Sequence, residues 1–283
     1  TMATTWNTVA TRDVRLLRKQ MDIVCALPRE YTFLNYLRCH DDIGWGLDYA
    51  SLSSWGMKEV PHKKYLNDYF QGKTEGSVSR GELYNEDLVT GDARFCATTA
   101  SMCGVESAGF EQDDEKMDWA IRKDLMLHAY MFTQSGIPML YSGDEVGQVN
   151  DYSYKEDPDK APDSRYIHRG RFNWDLAEKI SDRASVQGRI FSGLEALEKI
   201  RRTEAVFNAD AEVYTKDYDD TSVLWVVRRA EGEELHAVFN FSDEGRKIWM
   251  PEKAEYTDLV TGVREEVETV DLSGWDFVWM KRG

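Results

Sequence analysis

Apolar residues recur at helical spacing in three stretches of the chain, 13–26, 111–134 and 186–202. Positions three or four residues apart lie on one side of a helix, so this period is typical of an amphipathic helix. Acidic residues crowd the start of the second stretch and Gly136 follows its end, and both features suit helix termini. The sequence therefore predicts three long helices, and a further helical segment at residues 61–71.

Two short apolar runs each follow a predicted helix. Residues 31–39 follow the first helix, and His40, Asp41 and Asp42 come directly after this run. Residues 137–141 follow the second helix. Helix followed by strand, twice, favours a parallel sheet or an α/β barrel. Barrel enzymes carry their catalytic groups where the strands end, so these three polar residues are the leading site candidates. The structural alternative is a solvated aspartate pair opening a loop, with a hydrogen-bonded histidine at the strand end.

Beyond residue 205 the pattern changes to short β-rich runs separated by turns of Asp, Glu and Gly. Some of the runs alternate apolar and polar positions, which predicts an antiparallel β-sandwich of structural role. The runs are 222–229, 234–241, 246–250, 256–260, 263–270 and 275–281. Trp249, Trp275 and Trp279 fall in this region. Packing is the favoured role for these tryptophans, and a sugar-binding patch is the alternative.

Composition excludes several classes of protein. A hydrophobic content of 42% and a charged content of 30% over 283 residues are those of a soluble globular protein. The net charge of −16 argues against nucleic acid as a partner. No apolar run is long enough to cross a membrane, and no signal peptide is visible. The four cysteines show no metal-binding spacing, so we expect reduced thiols in a cytoplasmic protein, with disulfides as the alternative.

Five segments together resemble one enzyme family. Residues 35–45, Asn-Tyr-Leu-Arg-Cys-His-Asp-Asp-Ile-Gly-Trp, resemble the strand-seven signature of the α-amylase superfamily (glycoside hydrolase family 13), specifically its amylosucrase branch. The resemblance continues, in the family's order, through residues 6–13, 90–94, 136–147 and 163–169.

The resemblance implies a fold for the whole chain: the C-terminal part of a (β/α)8 TIM barrel with a lid insertion after strand seven, followed by the β-sandwich. Barrel helix six and strand seven would occupy residues 1–43, and the lid subdomain residues 44–110. Helix seven, strand eight and helix eight would occupy residues 111–205. The β-sandwich domain would occupy residues 206–283.

The resemblance also implies roles for five residues. Asp41 corresponds to the acid that stabilises the transition state, and His40 to its sugar-binding neighbour. Asp42 and Arg94 correspond to groups at the acceptor subsite, which holds the fructose half of sucrose. Arg165 corresponds to the arginine at the base of the donor-glucose pocket, whose acidic partner would lie upstream of this chain. The match of Asp42, Arg94 and Arg165 favours sucrose over starch.

Other polar residues are given structural roles. His128 is predicted to lie in the core, and Arg80 on the surface. Asp144 and Glu145 are placed on strand eight and match a structural motif. Asn85 and Cys96 depart from the family pattern, which leaves polymerisation and hydrolysis both open.

The resemblance places the nucleophile and the acid/base on barrel strands four and five, which this sequence does not contain. We therefore expect the C-terminal portion of a retaining glucosyltransferase that makes α-1,4-glucan from sucrose through a glucosyl-enzyme. It would be inactive without the missing N-terminal half of the barrel. Its partners would be sucrose and α-glucan acceptors, with no metal or cofactor. The alternatives are a sucrose hydrolase or other α-glucosidase or α-amylase of the superfamily, and a non-catalytic carbohydrate-binding remnant.

Overall fold

The computed structural model describes residues 1–283, which form nine α-helices around three separate sheets. The helices are α1 (Met2–Thr11), α2 (Arg15–Cys25), α3 (Tyr49–Ser54), α4 (Glu59–Phe70), α5 (Thr99–Cys103), α6 (Val105–Glu111), α7 (Asp114–Thr133), α8 (Trp174–Ala177) and α9 (Val186–Thr203). The four predicted helices correspond to α2, α4, α7 and α9, and the prediction is confirmed for each. Helix α1 was not predicted. None of the helices combines the length and the apolar composition that a membrane crossing requires.

Eleven strands form the sheets. They are β1 (Leu34–Asn35), β2 (Ile43–Gly44), β3 (Glu82–Tyr84), β4 (Arg94–Cys96), β5 (Ile137–Pro138), β6 (Glu212–Lys216), β7 (Val223–Ala230), β8 (Glu233–Asn240), β9 (Arg246–Asp258), β10 (Arg264–Leu272) and β11 (Asp276–Arg282). Short 3₁₀ turns lie between them at Asp144–Val146, Tyr152–Glu156, Ser164–His168, Glu178–Ser181 and Ala205–Phe207.

Strands β1 and β5 pair in parallel, as the two helix–strand units predict. Leu34 lies opposite Ile137, and the Ile137 amide donates to the carbonyl oxygen of Phe33 at 2.8 Å. The paired segment is only two residues long on each strand, whereas the apolar runs predicted strands of nine and five residues. Neither strand has a second neighbour to extend its ladder, and Leu34 and Ile137 stay 59% and 55% exposed.

Helix α7 is the central helix of the molecule. The Asp113 side chain caps it by accepting a hydrogen bond from the Lys116 amide at 3.0 Å. Its buried side faces α9 and the large sheet, where Tyr130 meets Phe239 and Phe241 edge to face with ring centroids 5.9 and 6.3 Å apart. This packing joins the helical part of the chain to the C-terminal sheet.

The C-terminal region is one six-stranded antiparallel sheet in the order β10-β9-β11-β8-β7-β6. The sequence predicted a sandwich of separate short strands, and the structure differs in two respects. The runs at 246–250 and 256–260 are a single strand, β9, and β6 was not predicted. Ile248 of β9 and Leu272 of β10 share an apolar cluster with Trp225 of β7, although these strands are not neighbours in the sheet.

The tryptophans of this sheet mostly pack. Trp275 and Trp279 are buried, and only Trp249 is exposed. A patch of all three is therefore excluded, and packing is confirmed for two of them.

Residues 44–110, predicted to form a lid, contain helices α3 to α6 and a small sheet in the order β2-β4-β3. The ring of Phe70 lies 5.4 Å from Trp45 and 5.3 Å from Phe95, centroid to centroid. Phe70 belongs to the same apolar core as Trp6 of α1, Leu127 of α7 and Phe239 of β8. All four predicted domain segments thus contribute to one core.

Candidate functional site

The three residues that the sequence singles out lie in a loop directly after β1. We call residues 39–42 the His40 loop. The side chains of His40 and Asp41 are 69% and 65% exposed, with the His40 Nε2 atom 3.5 Å from the Asp41 carboxylate. Asp42 is half-buried just before β2. The loop therefore presents an imidazole and a carboxylate to the outside of the chain.

The side chains of Arg169 and His168, about 128 positions later in the sequence, hold this loop. The Arg169 Nε atom donates to the carbonyl oxygen of His40 at 2.7 Å, and its Nη2 atom lies 3.9 Å from the Asp41 carboxylate. His168 donates to the same carbonyl oxygen at 3.2 Å, and burial lowers the pKa of His168 to about 4. A neutral imidazole and a guanidinium thus fix the loop backbone and place a positive charge beside Asp41.

Arg165 lies in the same 3₁₀ turn as His168. Its guanidinium forms a two-point contact with the Asp163 carboxylate, at 2.7 and 2.9 Å, and lies 4.4 Å from the centre of the Tyr84 ring. The hydrogen bond from Arg165 holds the pKa of Asp163 below its ordinary value. Within these residues the acidic partner of Arg165 is Asp163, and the upstream partner that the resemblance implies stays a prediction.

Arg94 reaches the site region through the small sheet. In that sheet Gly44 of β2 and Tyr84 of β3 both lie opposite Arg94 of β4. A Cβ atom on Gly44 would lie 2.0 Å from the Arg94 Nη1 atom, so the absence of a side chain lets the guanidinium lie across the strand. Arg94 lies on the strand next to β2, which Asp42 immediately precedes.

Beside Arg94 is a cavity of about 440 Å³, lined by Trp45, Gly46, Tyr49, Lys63, Asn85, Asp92, Ala93 and Arg94. Lys63 pairs with Asp92 at 2.7 Å and with Glu59 at 2.6 Å, so two carboxylates share its one positive charge. Asn85 lines this cavity, and Cys96 is buried, with its pKa raised to about 12 by burial and by Asp42. Of the two departures from the family pattern, Asn85 therefore borders a cavity, and Cys96 is a buried neutral thiol.

A buried ion pair behind the His40 loop was missed at the sequence level. The Arg38 guanidinium lies 2.9 Å from the Asp144 carboxylate, and both side chains are 2% exposed. Arg38 also lies 4.5 Å from the centre of the Tyr141 ring. The signal in the sequence was an arginine inside an apolar run. The pair joins the ends of β1 and β5 below the site.

His128 is buried, as predicted, but it has ionic neighbours. Its Nδ1 atom lies 3.0 Å from the Asp124 carboxylate. Burial lowers the pKa of His128, but Asp124 and Asp144 together raise it by more. His128 thus belongs to a charged group inside the core rather than to a purely apolar one.

One cluster near the site has metal-ligand chemistry. Ligand atoms of Cys39, His40 and Asp41 lie within 4.8 Å of one another. These consecutive residues offer three protein ligands, and His40 and Asp41 are exposed. We assign no metal here, because exposed groups of this kind also suit hydrogen bonding to a polyol. All four cysteines are free thiols.

Three kinds of comparison bear on this geometry. The family model described as the beta-galactosidase C-terminal domain matches residues 225–278, within the large sheet. Glucosylglycerate phosphorylase of Escherichia coli (strain K12) is 25% identical over 159 residues, which are 56% of this chain and 28% of that protein.

Among solved structures, the cyclic alpha-maltosyl-(1→6)-maltose hydrolase from Arthrobacter globiformis has a TM-score of 0.54 at 15% identity. The similarity covers 100% of this chain and 44% of that one. The trehalulose synthase of Pseudomonas mesoacidophila MX-45 has a TM-score of 0.46 at 18% identity over 56% of this chain and 38% of that one. The chain thus spans less than half the length of each of these relatives. It is similar to the C-terminal region of enzymes of the α-amylase family, and the comparisons do not select the amylosucrase branch.

Proposed function

We propose that this chain forms the strand-seven and strand-eight side of the active centre of a retaining enzyme that transfers glucosyl units from sucrose to an α-glucan. The observation that carries the proposal is the meeting of the His40 loop with the 3₁₀ turn at Ser164–His168 and with Arg169, about 128 positions away in sequence. That meeting gathers a carboxylate and fixed hydrogen-bond donors at the ends of β1 and β5. Carboxylates and donors of this kind suit a sugar substrate.

The proposed mechanism assigns Asp41 the stabilisation of an oxocarbenium-like transition state. Retaining enzymes use two further carboxyl groups about 5–5.5 Å apart, a nucleophile and an acid/base. Both would come from residues outside these 283. Arg169 would orient Asp41, and His40 would donate to a hydroxyl of the bound glucose.

The remaining residues are assigned to the two ends of the substrate. Arg165, held by Asp163 and the Tyr84 ring, would contact the donor glucose. Arg94 on β4, and Asp42 just before the neighbouring strand β2, would contact the fructose half of sucrose and then the acceptor. The four free cysteines favour a cytoplasmic enzyme.

The test measures fructose release from sucrose by the full-length protein to which this proposal assigns the chain. Asp41→Asn removes the charge and keeps the shape, so kcat should fall about 1,000-fold or more, since the lost interaction acts in the transition state. Glu255→Gln, an exposed change in the large sheet, is the control and should leave kcat unchanged. The 283-residue chain by itself should release no fructose. Turnover by the chain alone, or an active Asp41→Asn enzyme, would contradict the assignment.

A phosphorylase is the second candidate, favoured by the similarity to the Escherichia coli glucosylglycerate phosphorylase. Product analysis separates the possibilities. Fructose release that requires phosphate and yields glucose 1-phosphate would indicate a phosphorylase. Free glucose without polymer would indicate a hydrolase, and binding without turnover in the full-length protein would indicate a carbohydrate-binding remnant.

A further inference from the structure

A second cavity, of about 740 Å³, lies beside the candidate site and is formed entirely by residues 151–175. We call it the Trp174 cavity. Arg169 is part of its wall and also donates to the carbonyl oxygen of His40. A molecule in this cavity would therefore lie next to the His40 loop.

Aromatic rings form the apolar part of the Trp174 cavity. They belong to Tyr154, Tyr166, Phe172 and Trp174. The Trp174 side chain is 73% exposed, and its ring meets Phe172 edge to face with centroids 4.8 Å apart. A large ring left this far in solvent buries little of its own apolar surface, so it has surface available for a ligand.

The backbone under Trp174 is fixed by side-chain hydrogen bonds. Gln148 donates to the carbonyl oxygen of Arg171 and accepts from the Asn173 amide, both at 3.0 Å. The Asn173 side chain accepts from the Asp175 and Leu176 amides and so caps α8. The exposed ring thus sits on an ordered platform, and binding to it costs little ordering of the backbone.

The charged groups of the cavity balance. Three carboxylates and three cations line it: Asp151, Asp157, Asp175, Lys160, Arg169 and Arg171. Asp157 and Lys160 already pair with each other at 2.8 Å. A balanced set of donors and acceptors next to flat apolar rings fits a neutral ligand with an apolar face and a rim of hydroxyl groups. A pyranose ring has this chemistry, whereas a charged ligand of either sign would meet like charges as well as opposite ones.

We propose that the Trp174 cavity binds a neutral α-glucan chain, stacked on Trp174, as an acceptor subsite outside the candidate centre. Its role as an acceptor subsite rests on the proposed function. The binding itself does not, because it requires only the residues of this cavity.

The binding test is calorimetric titration of the 283-residue chain with maltoheptaose, in the absence of sucrose. Trp174→Ala should weaken the affinity about tenfold or more, and Trp174→Phe, which keeps a ring, should weaken it less. Trp249→Ala is the matched control, because Trp249 is also exposed but lies on the large sheet. It should leave the affinity unchanged.

Equal affinity in Trp174→Ala and the unchanged chain would overturn the proposal. Equal losses of affinity in Trp174→Ala and Trp249→Ala would also overturn it. So would the absence of binding at millimolar maltoheptaose, which would mean that the exposed ring serves a different ligand. Turnover separates this proposal from the previous one. Maltoheptaose binding that depends on Trp174, with no fructose release by the full-length protein, would leave the cavity assigned and refute the sucrose reaction. If the full-length protein releases fructose and Trp174→Ala leaves the KM for the acceptor unchanged, the sucrose reaction is supported and the acceptor subsite is refuted.

Discussion

At the scale of single residues, the ion pair between Arg38 and Asp144 lies buried behind the His40 loop. Burial raises the pKa of Asp144, although Arg38 beside it lowers that pKa. Removing one partner leaves the other as an uncompensated buried charge, so Arg38→Met should lower the free energy of unfolding by about 3–5 kcal/mol in urea denaturation. The exposed pair Arg264–Glu255 is the control, and Arg264→Met should cost less than about 1 kcal/mol. Similar losses in both variants would show that the buried pair is not special.

A double variant separates charge from packing at the same place. Arg38→Met combined with Asp144→Leu removes both charges and keeps apolar volume. Replacing a buried pair in this way is often neutral or stabilising, so the double variant should be more stable than Arg38→Met alone. A double variant that is less stable than the single one would contradict this.

The buried imidazole of His168 makes stability depend on pH. Burial lowers its pKa from an unfolded value of about 6.5 to about 4, so in this range the unfolded chain binds the proton more readily. The contribution of His168 to stability is therefore present above about pH 6.5 and is lost as the pH falls to about 4, by at most about 3 kcal/mol. His168→Gln keeps a donor for the carbonyl oxygen of His40 and should flatten this part of the unfolding profile. Above about pH 7 the profiles of His168→Gln and the unchanged chain should run parallel, because the imidazole is neutral in both states there. An unchanged slope in His168→Gln would refute the argument.

Only some residues near the site could be selected from the sequence alone. The sequence alone selected Asp41 and Asp42, because carboxylates at the end of an apolar run are visible without a partner. It did not select Arg38, whose partner Asp144 lies 106 positions away, nor the hold of Arg169 on the His40 loop. Such pairings depend on which strands become neighbours, and no local pattern records that.

At the scale of elements, helices were predicted better than strands. The period of α7 is local, and the capping residue Asp113 marks its start. Its end at Thr133 is less well marked, because the C-cap is the extended residue Gln134 and not Gly136. Strands β1 and β5 are each two residues long, because a strand extends only where a neighbour supplies hydrogen bonds. An apolar run shows that a segment is suited to a sheet but not how much of it is paired.

Gly136 fixes the passage from α7 into β5. Its φ is +118°, and a Cβ atom there would lie 2.3 Å from the backbone oxygen of Phe33, the group that accepts the Ile137 amide. Gly136→Ala should therefore lower the free energy of unfolding by at least about 2 kcal/mol, from backbone strain and from disruption of the β1–β5 pairing. Gly232→Ala is the control: its φ is +84°, but no atom lies within 4 Å of the added carbon. That variant should show the smaller cost of the backbone alone, about 1 kcal/mol. Equal costs would mean that the contact with Phe33 is unimportant.

At the scale of the whole molecule, the order of the helices and strands was predictable from the sequence, but the way in which they pack together was not. The change from helix–strand units to antiparallel strands near residue 205 is visible in the periodicity, and the structure confirms it. The sequence did not show that Trp6, Phe70, Leu127 and Phe239 share one core. Nor did it show that β6 to β11 join in one sheet, since both features depend on contacts between distant segments.

The open edges of the β1–β5 sheet should control how the chain behaves in solution. Neither strand has an outer neighbour, and the exposed side chains of Leu34 and Ile137 add apolar surface to a backbone with free hydrogen-bonding groups. Edges of this kind pair with other chains, so sedimentation velocity should show association that grows with concentration. Leu34→Lys with Ile137→Lys should shift the distribution toward the monomer, because charged side chains oppose edge pairing.

The control for this prediction is Leu88→Lys, which removes a more exposed apolar side chain, 73% exposed, from a loop away from the edge. If general surface hydrophobicity caused the association, this change would reduce it as much as the edge changes do. If the strand edges cause it, only the edge variant should respond, with its unfolding transition in urea otherwise retained. An unchanged chain that sediments as a monomer at every concentration would show that the short edges are too small to recruit a partner.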